Sequence, residues 1–221
     1  MHVSPHIVSD VMTHTVVAVG RDASFKHIVK IMQEWKVSAV PVLEGEGRVI
    51  GVVSEADLLI KEEFRDSDPD RFTQMSRLSD LAKAGGMTAA DVMSTPAVTV
   101  RPDATLAQAA RVMAQRKVKR LPVVDDTGLL EGVVSRADLL KVFLRTDDEI
   151  AEDVRGEILA PLFPSSPEQV GVDVADGVVT LTGHVGDASL VPIVARLVRS
   201  VEGVVDVDTA LSGGFRVKES G

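Results

Sequence analysis

Gly51-Val52-Val53-Ser54-Glu55-Ala56-Asp57-Leu58-Leu59 returns 81 residues later as Gly132-Val133-Val134-Ser135-Arg136-Ala137-Asp138-Leu139-Leu140. Working outward from this stretch, residues 8–59 and 89–140 align without a gap at the same offset. Val11-Met12-Thr13 becomes Val92-Met93-Ser94, Asp22-Ala23-Ser24 becomes Asp103-Ala104-Thr105, and Val40-Pro41-Val42 becomes Leu121-Pro122-Val123. Neither copy is long enough to build a large core by itself, so the two are expected to pack on each other across a pseudo-two-fold axis. Clefts between such units are where ligands tend to sit. The repeat therefore points to binding before it points to chemistry.

Each copy reads as β-α-β-β-α. A β-rich run comes first, Thr15 to Val19 or Ala97 to Val100, followed by a Ser or Thr cap and a helix. On that helix Phe25, Ile28, Met32 and Trp35 share one face, and Leu106, Ala109, Met113 and Arg116 take those places in the second copy. Val40 to Leu43 and Leu121 to Val124 read as strands, with proline near the start where a missing N–H costs least. After a polar turn come a second strand and a helix opening at Ser54 or Ser135. Met12, Met32, Met93 and Met113 recur in register and read as core.

The remainder is patterned differently. Residues 63–86 read as a connector with one helix around Met75 to Ala84. Asp147 to Leu159 reads as a helix and Pro161 to Pro167 as a linker. A hairpin then turns at Asp176-Gly177, a helix spans Asp187 to Ser200, and a strand covers Val204 to Val207. This third unit is α-β-β-α-β. The fold class is α/β (α+β), with boundaries expected at 7–62, 63–86, 87–145 and 146–212 and a tail at 213–221.

Hydrophobic residues make up 45% of the 221, enough for a packed core and too many for a disordered chain. The chain has no cysteine, which removes disulfides, thiolate metal sites and thiol nucleophiles together. No secretion signal is read at the N-terminus and no apolar run reaches the roughly 18 residues of a membrane helix, so the expected location is cytoplasmic. The net charge of −9 is uneven. Residues 1–146 balance at about 19 acidic and 19 basic groups, whereas 147–212 carry about 13 acidic groups against Arg155, Arg196 and Arg199. An acidic tail domain repels phosphate backbones and anionic lipid, so neither nucleic acid nor a membrane is the expected partner. His2 and His6 lack a third ligand, and no metal site is expected. No Gly-rich phosphate loop, nucleophile elbow or pair of catalytic carboxylates is found, and the chain reads as non-catalytic.

The repeated unit resembles the CBS domain through Asp-Val-Met-Thr/Ser, the hydrophobic-Pro-Val before the second strand, and Gly-Val-Val-Ser-x-Ala-Asp-Leu, found twice in register. The tail resembles a BON domain through residues 172–185 and Val201 to Val207. The whole order resembles a group of small actinobacterial proteins with no catalytic domain. This resemblance implies a regulatory sensor of AMP, ADP, ATP or S-adenosylmethionine, bound between the copies without any required cofactor. It implies a homodimer built through the helices near Ala56 and Ala137, and a protein partner for the BON domain.

The resemblance also assigns residues. Ser54/Asp57 and Ser135/Asp138 would hold ribose and phosphate, an ionised carboxylate accepting from adjacent hydroxyls at a helix start. The same tetrapeptides read equally as capping boxes, and one serine can serve both. Lys119, Arg120 and Arg136 suit a polyphosphate. They favour the Ser135/Asp138 copy, unless basic residues cross to serve the phosphates of the other site. Ala39 and Val40, with Val16 and Ala97, complete the expected ligand-binding set. The rival reading is a ligand-free scaffold whose CBS pair dimerises and whose BON domain holds a protein or membrane partner.

Overall fold

The computed structural model describes residues 6–63, 83, 85–164 and 169–213. The chain divides into two compact units, one built on residues 6–139 and the other on the residues from 140 onward. Most of the expected connector helix, Met75 to Ala84, lies outside the described residues, as do His2 and part of the expected Pro161 to Pro167 linker.

The first unit contains both copies of the repeat, each with a short opening helix ahead of an α-β-β-α run, and only copy one has a first strand. In copy one these are α1 (Val8–Val11), β1 (Val19–Gly20), α2 (Phe25–Trp35), β2 (Ala39–Glu44), β3 (Arg48–Ser54) and α3 (Glu55–Glu63). In copy two they are α4 (Ala89–Val92), α5 (Leu106–Arg116), β4 (Arg120–Val124), β5 (Leu130–Ser135) and α6 (Arg136–Leu139). β2 pairs antiparallel with β3, and β4 with β5. Both ladders shift register at the same place, between Val42 and Leu43 and between Val123 and Val124.

The pseudo-dyad is written into the isolated bridges. Val52 pairs with Ser94, and Val133 with Thr13; Ser24 pairs with Thr88, and Thr105 with Ile7. Adding 81 to one partner and subtracting it from the other turns each bridge into its mate, which only an exchange of the two copies can do.

That exchange reaches the cores. Ala89 and Val92 of α4 are fully buried with Val40, Val42, Val53 and Ile28 of copy one. The N–H of Ala89 donates to the Ala23 carbonyl at 2.8 Å, and the N–H of Val8 donates to the Ala104 carbonyl at 2.8 Å. The opening helix of each repeat thus packs on the other copy. Gly51 lies under Met93 and Gly132 under Met12, so these two methionines are half-buried at the seam, while Met32 and Met113 are buried.

Two sequence expectations change here. The first β-rich runs pair only at their ends: Val19 and Gly20 join β2, and Val100 makes a single bridge to Val123. In copy two, Ala97 and Val98 line a cavity instead. Trp35, placed on the apolar face, is 55% exposed, because it ends α2 after Ile28 and Met32 have filled the core. Both α2 and α5 then close on a lysine in the left-handed region, Lys36 at φ 53° and Lys117 at φ 55°.

In the second unit, α7 (Asp147–Asp153) runs through a wide π-type stretch, Val154–Leu159, into α8 (Ala160–Leu162). Pro161 is therefore helical and not linker. Without an N–H it cannot continue the i→i−4 ladder, and the wider turn before it absorbs the loss. Ile150, Val154 and Leu159 bury themselves with Val179 and Leu181 of the sheet and Val194 and Val198 of α9 (Leu190–Val198). The sheet orders β6 (Val170–Ala175), β7 (Val178–Val185) and β8 (Asp206–Gly213), antiparallel then parallel. Its hairpin turns at Asp176 and Gly177, φ 52° and 74°, whose N–H groups donate to the Asp147 carboxylate at 3.0 and 2.8 Å. The last strand begins later than Val204, the start expected from the sequence, because residues 201–203 form a turn closed by the Val204 N–H donating to the Val201 carbonyl.

Candidate functional site

Where β3 runs into α3, the chain presents Ser54-x-x-Asp57. The Ser54 N–H and hydroxyl donate to Asp57 Oδ2 at 2.9 and 2.6 Å. Copy two repeats this geometry, with Ser135 donating to Asp138 Oδ2 at 2.9 and 2.6 Å. The capping role is thus present at both helix starts, worth about 1 kcal/mol each. Asp57 is only 8% exposed and is the one charged side chain among the buried residues described. A buried carboxylate is costly unless it is fully hydrogen-bonded. Here burial pushes Asp57 toward the neutral acid, but hydrogen bonds from Lys83 and Ser54 outweigh it and hold the carboxyl below its ordinary range.

Asp57 and Ser54 form one wall of a cavity of about 400 Å³. Ser38 and Ala39 at the start of β2 form another, with Ser94, Ala97 and Val98 from copy two. Lys117, Lys119 and Arg120, also from copy two, line it as well. Their pseudo-symmetric counterparts are Lys36, Ser38 and Ala39, so the charges of Lys119 and Arg120 belong to one copy only. This volume and mixed lining suit a small organic ligand. The three basic side chains suit one with an anionic end.

The expected residues divide accordingly. Ser54, Asp57, Ala39, Ala97, Lys119 and Arg120 come together around this cavity. Lys119 and Arg120 thus share this cavity with Asp57 of the opposite copy, the crossing arrangement. Ser135 and Asp138 lie at the matching helix start and do not line this cavity, nor does Val16. Arg136 donates from Nη2 to the Val118 carbonyl at 3.1 Å. Val40 is fully buried in the core of copy one, because strand alternation turns it away from the side that Ala39 faces. Two residues escaped the sequence reading. Ser94 reads in the sequence only as part of the opening motif. Lys83 lies in the connector, where no repeat or period marks it.

The fold and the cavity together define a tandem pair of like α/β units with a ligand-sized space at their seam. The CBS domain model matches residues 8–62 and 89–145, and the BON domain model matches residues 146–213. The chain belongs to the CBS-domain family, carrying a tandem pair followed by a C-terminal BON domain. It is similar to the uncharacterized protein MJ1426 of Methanocaldococcus jannaschii, 29% identical over 154 residues, covering 62% of this chain and 91% of that one. It is also similar to the CBS domain-containing protein YhcV of Bacillus subtilis, 29% identical over 132 residues, covering 60% and 81%. Matches to two further methanogen proteins span 58% and 45% of those proteins. Among solved structures, CBSX2 of Arabidopsis thaliana in complex with AMP has a TM-score of 0.56 at 29% identity, covering 63% of this chain and 97% of that one. No helix among the described residues is long and apolar enough to cross a membrane.

Proposed function

We propose that this is a non-catalytic regulatory protein that senses an adenine nucleotide or S-adenosylmethionine between its CBS copies and signals through its BON domain. The observation that carries the reading is the cavity that joins the buried Asp57 carboxylate of copy one to Lys117, Lys119 and Arg120 of copy two. Asp57 would accept from the ribose hydroxyls, Ala39 and Ala97 would flank the base, and Lys119 and Arg120 would meet phosphate. The AMP complex of CBSX2 supports this ligand class. Ser135, Asp138 and Arg136, with Val16, would serve the pseudo-symmetric site.

The ligand acts by preferring one arrangement of the pair over another, since equal affinity for both shifts nothing. We divide the chain at 7–62, 63–86, 87–145 and 146–212, with a tail at 213–221. We place it in the cytoplasm as a homodimer, in the manner of the small actinobacterial CBS-pair and BON proteins. The BON domain would contact a protein and not nucleic acid, since residues 147–212 are strongly acidic.

Calorimetry with AMP, ADP, ATP and S-adenosylmethionine on ligand-free protein is the test. Asp57→Ala is expected to weaken binding more than about tenfold, and to lower stability by the lost cap, about 1 kcal/mol, together with the cost of leaving Lys83 without its carboxylate. No heat with any of the four would leave the ligand-free scaffold as the better reading.

A further inference from the structure

The Asp57 carboxylate is fully engaged before any ligand arrives. Oδ2 accepts from the Ser54 N–H and hydroxyl. Oδ1 accepts from the Ser94 hydroxyl at 3.0 Å and from the ammonium of Lys83. A carboxylate offers about four acceptor positions, and these four donors use them all. Lys83 Nζ also donates to Ser94 Oγ at 2.9 Å, closing a triangle of lysine, serine and aspartate. Both members of the ion pair are largely out of solvent, with 17% and 11% of their side chains exposed.

The backbone at Lys83 is held from two sides. Its carbonyl accepts from the Gly86 N–H at 2.9 Å, and the Gly86 carbonyl accepts from Lys61 Nζ at 3.0 Å. A methyl group at Gly86 would lie 2.7 Å from Val92 Cγ1 and 3.1 Å from the Lys83 carbonyl oxygen, so this close approach needs glycine. Nothing in the repeat duplicates Lys83, since the position 81 residues on is Pro164.

We propose that Lys83 is a built-in competitor for the Asp57 cleft, its ammonium occupying the carboxylate oxygen that a ligand's vicinal hydroxyls require. The inference rests on the nucleotide reading above. A diol can bind Asp57 only by displacing one of these donors, and with Lys83 as the one that leaves Oδ1, ligand entry and release of Lys83 are one linked event. Linkage then makes the effect reciprocal: whatever holds Lys83 on Asp57 weakens the ligand by the same factor.

The test uses the full chain carrying Asp138→Asn, so that heat reports the Asp57 cleft, titrated with AMP with and without Lys83→Met. Lys83→Met is expected to tighten AMP about tenfold, the scale of one charge-assisted hydrogen bond. Lys83→Gln, which keeps a donor without the charge, should fall between, and it serves if the methionine variant folds poorly. In the parent, reductive methylation of Lys83, read by mass spectrometry, should be slow without AMP and accelerate at saturating AMP. Affinity that is unchanged or weakened in both variants overturns the competitor role alone, as does labelling that AMP slows or leaves unaltered. Binding by the variants and not the parent supports it. AMP binding to none of the three proteins overturns both this inference and the nucleotide reading.

Discussion

Arg48 and Leu129 pair with each other in a single antiparallel bridge, and they are the same position in the two copies of the repeat. On either side the Val49 N–H donates to the Gly128 carbonyl at 3.0 Å and the Leu130 N–H donates to the Gly47 carbonyl at 3.1 Å. A position that meets its own counterpart lies on the axis that relates the copies. The dyad therefore passes through the β-turn ends of β3 and β5, and the rest of the seam follows from it.

Along that seam the approach of Met12 to Gly132 is close. A methyl group at Gly132 would come within 2.7 Å of Met12 Sδ and 3.0 Å of the Thr13 carbonyl oxygen. At Gly51 the three nearest atoms all belong to the flexible Met93 side chain. Gly132→Ala is expected to destabilise by about 1–3 kcal/mol, and Gly51→Ala by less, because a methionine can move and a carbonyl cannot. Urea unfolding of the two variants gives the comparison; equal losses would contradict it.

Lys117 carries a backbone cost. It ends α5 at φ 55°, a conformation about 1–2 kcal/mol unfavourable for a residue with a Cβ. Lys117 is also one of the residues lining the cavity. Lys117→Gly should raise stability by up to ~1 kcal/mol, after the larger chain entropy of unfolded glycine is subtracted, and weaken AMP several-fold. Lys36→Gly, the same cap in copy one, should gain stability with no loss of affinity at the Asp57 cleft. Thermal melts and calorimetry on both variants decide it.

The Asp57 carboxyl sets a pH dependence. Burial opposes its charge, but hydrogen bonds from Lys83 and Ser54 prevail and hold the folded value below the ordinary 3.8. A depressed value means the group contributes stability fully above the unfolded value and loses it as pH falls through the folded one. The stability deficit of Asp57→Asn should therefore be constant near neutrality and shrink as pH drops below about 4. Chemical denaturation across pH 3 to 7 measures it. A deficit that widens toward acid would show that the carboxyl is raised instead.

Leu59 on α3 is 65% exposed, and its repeat counterpart Leu140 is 61% exposed. Two recurrent leucines left bare at helix positions argue for burial in a second copy. Sedimentation of the full chain should report a dimer, and Leu59→Lys should shift it toward monomer. A parent protein that is monomeric at all concentrations would remove the homodimer from the proposal.

Much of the fold is legible in the linear order. The constant offset of 81 specifies two like units, alternating valines mark β2 to β5, and Asp176-Gly177 marks the hairpin turn. Such features depend on residues a few places apart, whose local geometry dictates the element whatever surrounds it. The Ser54 to Asp57 hydrogen bonds are of this kind as well. Which helix packs in which core is not local. Ala89 and Val92 bury themselves in copy one only because the copies dock by exchange, and Lys119 and Arg120 reach the Asp57 wall for the same reason. Lys83 is the extreme case: a lysine in an unrepeated connector, brought onto a buried carboxylate 26 residues earlier by tertiary packing alone. Periodicity and caps determine the pieces, since backbone and side-chain preferences act over single turns. The site was decided by the docking of distant segments, because desolvation and charge pairing exist only once those segments meet.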